Sequence, residues 1–354
     1  MIDVPETVPT DWPATDPLML TDGGIAVLNL HALIEGFGDH SNTAEAAALI
    51  DLLILRGLIL GHISDYDRAA ELADRHVAAA TTDAAAYVAR ARTHGVFHRF
   101  AEALGDLDHA DRITPGGTAT KRDRAAILQA LGDYHEALVT YGTADCGRPF
   151  EQAAALAGFW ADCGKTDTAR RFYLQSLGSY RGVSPFPLAQ LDFQLGVMWM
   201  RHGDLNEARA CFEAAVRRVP AYAAAQGHLA EVHAGLGEPE TAVARLTLLA
   251  TSSDDPDYAA QLARILGEMG RREESVGWRR MAASRYDELI ATHPAAFADH
   301  AAEFWLGAGN DPPKALHLAE FNLQVRKTPR AYDLLTQALE ANGAGAASAR
   351  TFGV

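Results

Sequence analysis

Several features that would place a protein in a familiar class are missing from this sequence. Charged residues interrupt the longest apolar run, residues 49–60, which leaves it too short to cross a membrane. The start, MIDVPETVPTDWP, is acidic and rich in proline, so it is not typical of a secretory signal, although a chain from which a signal had been removed would look the same. The three cysteines form no CxxC pair, which favours a reducing compartment or no redox role: Cys146, Cys163 and Cys211. We therefore expect a cytoplasmic protein that does not insert into a membrane.

Basic residues are in deficit. The chain has 31 Lys and Arg against 46 Asp and Glu, a formal net charge of −15, which repels nucleic-acid phosphates and anionic lipid unless a local basic patch outweighs it. Basic clusters at 217–218 and 271–272 fall in predicted helices beside acidic neighbours, which is typical of a solvated helix face. The composition therefore predicts no nucleic-acid partner.

Motifs for catalysis are also missing. The sequence has no GxSxG, P-loop or GxGxxG motif in a strand–turn–helix context. His94 and His98 stand four residues apart, a spacing that can hold zinc, but they fall on packing and turn positions of the repeat described below. Asp299, His300 and Glu303 share one predicted helical turn, yet no Cys or His partner is evident elsewhere. We expect no catalytic residue, no metal and no cofactor, so the protein is predicted not to be an enzyme.

The clearest positive signal is a unit of two helices at residues 189–222. Large and small residues recur at helical spacing on both sides of a turn at 202–204: Leu195, Gly196, Trp199, Ala208, Phe212 and Ala215. The small residues allow two antiparallel helices to approach closely, and the large ones fill the space around that contact. Pro220 closes the second helix, because proline has no N–H to donate.

This unit resembles the tetratricopeptide repeat, a helical hairpin of about 34 residues. It departs from that pattern mainly at Asp192, where the family usually has Trp. The resemblance implies an all-α, right-handed superhelical solenoid in which the first helix of each hairpin lines a concave groove.

The unit recurs along the chain. One residue on each second helix marks the register: Ala69, Ala103, Ala137, Ala169, Ala208, Ala242, Ser275 and Ala315. Twelve residues earlier stands a position on the facing helix that is nearly always small: Gly57, Ala91, Ala125, Ala157, Gly196, Ala230, Ala263 and Glu303. Five residues before the register residue stands a type that tolerates a turn: Ser64, His98, Gly132, Gly164, Gly203, Gly237, Gly270 and Asn310. These rows predict about eight helical hairpins.

The hairpins divide the chain into segments. We predict a flexible Pro-rich arm at 1–17, an N-terminal capping helix region at 18–45 and the solenoid at 46–330. A C-terminal capping helix at 331–343 and a flexible tail at 344–354 complete the chain. Two intervals between register residues are long, from Ala169 to Ala208 and from Ser275 to Ala315. The first predicts a longer loop at 178–187, and the second predicts an overlong helix at 272–290.

The resemblance also implies which side chains face the groove. The candidate binding residues are Arg92, Arg122, Phe193, Val197, Met200, Arg201, Glu231, Arg264, Phe297 and Phe304. Between Phe193 in repeat five and Phe297 with Phe304 in repeat eight we expect a channel lined by small residues: Gly227, Ala234, Gly235 and Gly267. Exposed aromatic side chains on a concave surface usually mark a binding site. The alternative is that Phe193 and Phe304 turn inward and pack between adjacent hairpins.

The favoured function is a non-enzymatic scaffold or adaptor that binds a peptide or protein segment of a partner in the groove. The runner-up is a peptide-sensing regulator or a phosphatase-like regulatory protein, although residues 18–45 are short for the additional region that such proteins carry. A third hypothesis places the arm, 1–17, in the groove. The clamp of Lys, Arg and Asn with which relatives hold chaperone C-termini is missing, since Lys121 is the single lysine on the predicted first helices. The sequence does not predict an oligomeric state.

Overall fold

The computed structural model describes residues 19–37, 43–115, 117–144 and 148–343. Across these ranges the chain is helical and contains no strand, which confirms the all-α prediction. No helix among them is long and apolar enough to span a bilayer. The predicted arm at 1–17 and tail at 344–354 lie outside the described residues.

The helices of the described ranges form eight hairpins between two terminal helices. The N-terminal helix is α1 (Gly23–Gly36) and the C-terminal helix is α18 (Pro329–Ala341). The first four hairpins are α2 (Thr43–Leu60) with α3 (Ile63–Ala79), α4 (Ala84–Val96) with α5 (Phe100–Ile113), α6 (Thr118–Leu131) with α7 (Tyr134–Thr143), and α8 (Pro149–Asp162) with α9 (Thr166–Ser179). The last four are α10 (Phe186–His202) with α11 (Leu205–Arg218), α12 (Ala223–Gly235) with α13 (Pro239–Ser252), α14 (Asp257–Glu268) with α15 (Arg272–Thr292), and α16 (Pro294–Leu306) with α17 (Pro312–Val325).

The register residues occupy the contacts for which the sequence selects small side chains. All seven alanines of that row are fully buried: Ala69, Ala103, Ala137, Ala169, Ala208, Ala242 and Ala315. In hairpin seven, Ser275 takes the position and donates its hydroxyl to the Ala263 carbonyl at 2.7 Å. Close approach of the paired helices is therefore common to all eight hairpins.

The unit at residues 189–222, which forms hairpin five, shows how closely the two helices approach. Phe212 is fully buried against Gly196, where an added Cβ would lie 2.6 Å from the Phe212 ring. Asp192, which stands where the family usually has Trp, is 1% exposed and forms an ion pair with Arg218 at 2.6 Å. A buried ion pair thus replaces an indole at this position.

The predicted turn residues are correct in seven hairpins and wrong in the first. His98, Gly132, Gly164, Gly203, Gly237, Gly270 and Asn310 all adopt positive φ. In hairpin one the positive φ belongs to Gly61, at +66°, and Ser64 lies inside α3. The reason is that the second helix of hairpin one starts earlier relative to its register residue. Helix α3 begins at Ile63, six residues before Ala69, whereas α11 begins at Leu205, three residues before Ala208.

A second correction concerns hairpin eight. Glu303 was predicted at the small contact position but is exposed, and Ala301 and Ala302 are fully buried instead. The turn between α16 and α17 covers residues 307–311, whereas two residues, 203–204, suffice between α10 and α11. Counting back twelve residues from Ala315 therefore falls one to two residues short of the contact here.

The two long spacings have the predicted causes. The loop between α9 and α10 runs over residues 180–185, and α15 extends over 21 residues. Both insertions leave the order of hairpins unchanged.

Packing between hairpins places the first helices on the inner side of the solenoid. First helices of successive hairpins contact one another, as in α2 with α4, α4 with α6, α8 with α10, α10 with α12, α12 with α14 and α14 with α16. Second helices pack chiefly on the first helices before and after them. A layer whose members are closer together lies on the concave side of the curve, so the first helices line the groove.

The solenoid curves tightly enough for its second half to contact its first. We call these contacts the inter-turn seam: residues 61–64 with 252–254, 97–98 with 293–295, and 131–132 with 327. Partners joined by hydrogen bonds at the first two contacts are separated by 190 to 197 residues. One superhelical turn therefore takes between five and six hairpins.

Backbone and ring contacts hold the seam together. Ser64 N donates to the Asp254 carboxylate at 3.0 Å, and the Ser253 hydroxyl donates to the Gly61 carbonyl. Phe97 stacks on His293 with ring centroids 3.9 Å apart. At the third contact, Lys327 N donates to the Leu131 carbonyl at 2.8 Å.

Candidate binding groove

A cavity of about 350 Å³ opens on the groove at hairpins three to five. Its lining comes mainly from the first helices α6, α8 and α10, with a contribution from the start of α9: Gln129, Gly158, Ala161, Asp162, Gly164, Thr166, Tyr173, Phe193, Gln194, Val197, Met198, Arg201 and His202. Three of the predicted binding residues, Phe193, Val197 and Arg201, are therefore brought together.

A chain of hydrogen bonds forms the polar side of this cavity. Tyr141 donates its hydroxyl to Gln129 Oε1 at 3.0 Å, and Gln129 Nε2 donates to Asp162 Oδ2 at 2.7 Å. Arg201 donates one N–H to Asp162 Oδ1 at 3.2 Å. Burial raises the pKa of Tyr141 well above its ordinary value, so the phenol keeps the proton that it donates. Asp162 is thus oriented from two sides, while the Arg201 side chain is 50% exposed.

The apolar side is formed by Phe193, Val197 and Met198. Phe193 is half-buried, and its ring centroid lies 5.3 Å from Tyr222 and 5.4 Å from His228. The two alternatives for Phe193 are therefore both partly realised, since one edge lines the cavity and the other packs between hairpins five and six.

For Phe304 the groove prediction is wrong. Its side chain is 4% exposed and lies between Tyr286 and Trp305, with centroid distances of 5.3 and 4.9 Å. The longer turn after α16 shifts the register of this helix, so counting along the repeat assigned a core position to the groove. Phe297, four residues into α16, is half-buried.

The predicted channel between the two aromatic groups is not present. An added Cβ on Gly227 would lie 2.7 Å from the Tyr258 ring, on Gly235 3.0 Å from Leu205, and on Gly267 3.3 Å from Ser275. These glycines therefore serve helix contacts. Met200 is also partly buried, in a cluster that contains Leu205.

The charged groove residues already have partners. Arg92 of α4 donates to Asp51 of α2 at 2.8 Å and to Asp123 of α6 at 2.9 Å. Burial alone would lower the pKa of Arg92, but the two carboxylates outweigh it and raise this pKa. Arg122 lies 3.9 Å from Asp123. Ion pairs therefore tie successive first helices together along the groove.

The same holds in the second half of the groove. Arg264 pairs with Glu268 at 3.0 Å, and Arg201 pairs with Asp162 as described above. His228 Nδ1 lies 3.4 Å from the Glu231 carboxylate and lowers the pKa of Glu231. Each candidate guanidinium thus meets at least one carboxylate.

The two candidate metal clusters contain structural contacts. His94 lies 3.2 Å from Asp106, and His98 contacts the Ala295 carbonyl at 3.1 Å in the inter-turn seam. Asp299 pairs with Arg326, and Glu303 pairs with an arginine of α18 at 2.9 Å. Within the described ranges no group of three or more His, Cys, Asp or Glu side chains could hold a metal ion.

Sequence reasoning missed the hydrogen-bond chain behind the cavity. Tyr141 stands at a position that the repeat pattern assigns to the core, and nothing in the spacing shows that its hydroxyl reaches Gln129. The same is true of Met198, which is 5% exposed but lines the cavity. Both contacts depend on side-chain directions, which a repeat register does not specify.

Residues 200–265 match a family model described as tetratricopeptide repeat. No curated protein sequence matches the chain. Among solved structures it is similar to a human IFIT1 dimer with PPP-AAAA, with a TM-score of 0.55, 15% identity and coverage of 89% of this chain and 78% of that one. A monomeric IFIT1 mutant with m7Gppp-AAAA gives a TM-score of 0.56, 14% identity and coverage of 89% and 76%. The Cut9-Hcn1 hetero-tetramer of the APC/C gives a TM-score of 0.48 and 14% identity, and the match covers 92% of this chain and 78% of that one.

At these identities the similarity to solved structures concerns the fold alone. The matched segment runs from the end of α10 into α14. The five hairpins outside it, one to four and eight, repeat its buried alanine, and all but hairpin one repeat its left-handed turn position. Residues 200–265 therefore match the tetratricopeptide repeat, and the described chain has the fold of a tetratricopeptide-repeat solenoid.

Proposed function

We propose that this protein is a non-enzymatic adaptor that binds an extended segment of a partner protein in the cavity at hairpins three to five. The tetratricopeptide-repeat fold supports a role as a protein-interaction scaffold. The observation that carries the finer proposal is the cavity itself, in which an apolar wall faces a polar chain that is already oriented.

The two sides of the cavity suit the two parts of a peptide. An apolar side chain of the partner can lie against Phe193 and Val197, where its burial stabilises the complex. Arg201 uses one N–H on Asp162 and is half exposed, so its other N–H groups can donate to a backbone carbonyl or a carboxylate of the partner. Gln194 is exposed beside it and offers both a donor and an acceptor.

The pairing of the groove arginines favours a protein over a nucleic acid. A phosphate backbone binds by releasing counterions from free cationic side chains. A carboxylate already lies against Arg92, Arg201 and Arg264 and offsets their charge, so a phosphate gains less from contacting them. The net charge of −15 acts in the same direction.

The proposal can be tested with peptides selected on the protein from a phage-displayed random library. The affinity of enriched peptides for the wild type is then compared with that for Val197→Glu and Arg201→Ala by fluorescence anisotropy. Arg209→Ala is the matched control, because Arg209 is similarly ion-paired but lies on α11, outside the cavity lining.

We expect Val197→Glu to weaken binding by at least about tenfold, equivalent to 1.4 kcal/mol, and Arg201→Ala to weaken it less. The control should bind as the wild type does. Equal binding by all four proteins would move the site elsewhere. A 5′-triphosphorylated tetra-adenylate that binds more tightly than any peptide would replace the proposal with an RNA-binding function.

A further inference from the structure

The N-terminal helix α1 is apolar on two opposite faces. Ala26, Leu30 and Ile34 are buried against α2 and the core beneath it. On the other face Ile25 is 54% exposed, Leu28 is 68% exposed and Leu33 is 55% exposed, and Met19, in the segment before the helix, is 92% exposed. Large apolar side chains grouped on an exposed surface usually mark a binding site.

The C-terminal helix α18 is different. It buries Ala331, Leu334 and Leu335 on the solenoid and exposes Asp333 and Gln337. Terminal units of a solenoid need such a polar outer face to remain soluble. The C-terminal end of the stack is therefore closed off from further packing, whereas the N-terminal end presents a surface on which another helix can pack.

The outer face of α1 carries no charge between residues 24 and 34, and Asn29 is its exposed polar side chain. From Gly24 to Ile34 the helix contains no Asp, Glu, Lys or Arg, although the chain as a whole has a net charge of −15. Two such faces can meet without bringing carboxylates together. Two copies of the chain therefore repel each other less at this face than at the rest of the surface, which is acidic.

The other large apolar side chains that are exposed in the described residues are spread along the chain, and no helix carries more than one of them. They lie on six helices and one loop: Leu58, Ile113, Val139, Val183, Leu248, Met281 and Tyr332. A second copy of the chain can therefore cover α1 well only with its own α1. Such a contact is isologous, so it closes as a two-fold dimer and does not extend into a filament.

We propose that the protein forms a two-fold dimer in which the outer faces of α1 from two copies pack against each other. The expected contact is small, because a helix of 14 residues is about 21 Å long and a standard interface buries about 800 Å² on each partner. The dimer is accordingly weak and dissociates on dilution.

Sedimentation velocity over a wide range of protein concentration tests the dimer. The wild type should shift from monomer to dimer as concentration rises. Leu28→Glu, which places a carboxylate in the centre of the face, should stay monomeric at concentrations where the wild type is dimeric. Leu248→Glu is the control and should dimerise as the wild type does, because Leu248 is 72% exposed on α13 and stands alone.

Circular dichroism and thermal melting show whether Leu28→Glu remains folded. If it does not, Leu28→Asn and Leu33→Asn replace it, and we expect both to weaken the dimer. A wild type that is monomeric throughout would overturn the proposal, whether the face is covered by the chain's own N-terminal residues or by a different protein. A dimer that persists in Leu28→Glu, or that is lost equally in Leu248→Glu, would also overturn it.

Discussion

Gly196→Ala isolates the steric part of the helix contact on which every hairpin depends. In an unhindered helix, replacing glycine by alanine stabilises a protein by about 0.5–1 kcal/mol, because glycine loses more conformational freedom on folding. At Gly196 the new Cβ would lie 2.6, 2.8 and 3.0 Å from three atoms of the Phe212 ring. Such distances require the ring or the helix to move.

The ring has little room to move. Phe212 is fully buried, stacks on His228 at 5.5 Å and meets Phe193 at 5.8 Å. Overpacking of a core typically costs about 1–3 kcal/mol, which exceeds the gain in helix propensity. We therefore expect a net loss of up to about 2 kcal/mol for Gly196→Ala and a larger loss for Gly196→Leu.

The assay must resolve a small change in a long chain. With an entropy of unfolding of about 2 cal/mol/K per residue, 1 kcal/mol shifts the melting temperature of this protein by only about 1 °C. Hydrogen exchange of the α10 and α11 amides is more sensitive, because it reports local opening. Gly277→Ala is the matched control, since this glycine is inside α15 and its Cβ would meet nothing within 4 Å.

The control should slow exchange in its own helix, and Gly196→Ala should accelerate exchange in α10 and α11. Combining Gly196→Ala with Phe212→Leu should restore part of the loss, because the two sites share one contact. If Gly196→Ala stabilises as much as Gly277→Ala does, the steric reasoning is wrong.

Three further predictions concern buried charge and the inter-turn seam. Asp192→Ala removes the carboxylate from the ion pair with Arg218 and should lower the free energy of unfolding by about 1.5–3 kcal/mol in urea titrations. The pair Asp192→Leu with Arg218→Met should lose less, and equal losses would contradict this. Gly132→Ala forces alanine to a φ of +93° and sets a Cβ against the Lys327 carbonyl, so the Lys327 amide should exchange faster, and an unchanged rate would refute the contact. Burial lowers the pKa of His98 from 6.5 to about 4, so the unfolded chain binds more protons between these values and stability should rise as the pH increases from 4 to 6.5. His98→Asn should flatten that part of the profile, and an unaltered slope would exclude His98 as its source.

The repeat register predicted the fold because the contact it describes is local. Ala208 and Gly196 lie twelve residues apart, and the helical period alone brings them together across one turn. The register failed where an element changes length, as in the longer turn after Glu303 and the earlier start of α3 before Ser64, because a fixed offset cannot detect an insertion. It also could not predict the inter-turn seam, since the curvature of the solenoid sums small rotations over several hairpins.

The candidate groove was predicted in part for the same reason. Val197 and Arg201 follow from the helical period once α10 is placed, and both line the cavity. Phe304 and Gly227 were assigned to the groove by the same counting but belong to helix contacts. A difference of one residue rotates a helix position by about 100°, which is enough to exchange groove for core.

The inter-turn seam alters how the chain must unfold. A solenoid whose units touch only their neighbours can lose its terminal units one at a time. Here the turns of hairpins one to three bind residues 252–254, 293–295 and 327, so fraying of either end breaks contacts at the other. Closing a loop of 190 residues costs about 5 kcal/mol of chain entropy, which the seam must offset in a late step of folding. We therefore expect a single cooperative transition, and expect a chain cut after hairpin six to unravel from its N-terminal end as readily as from the cut.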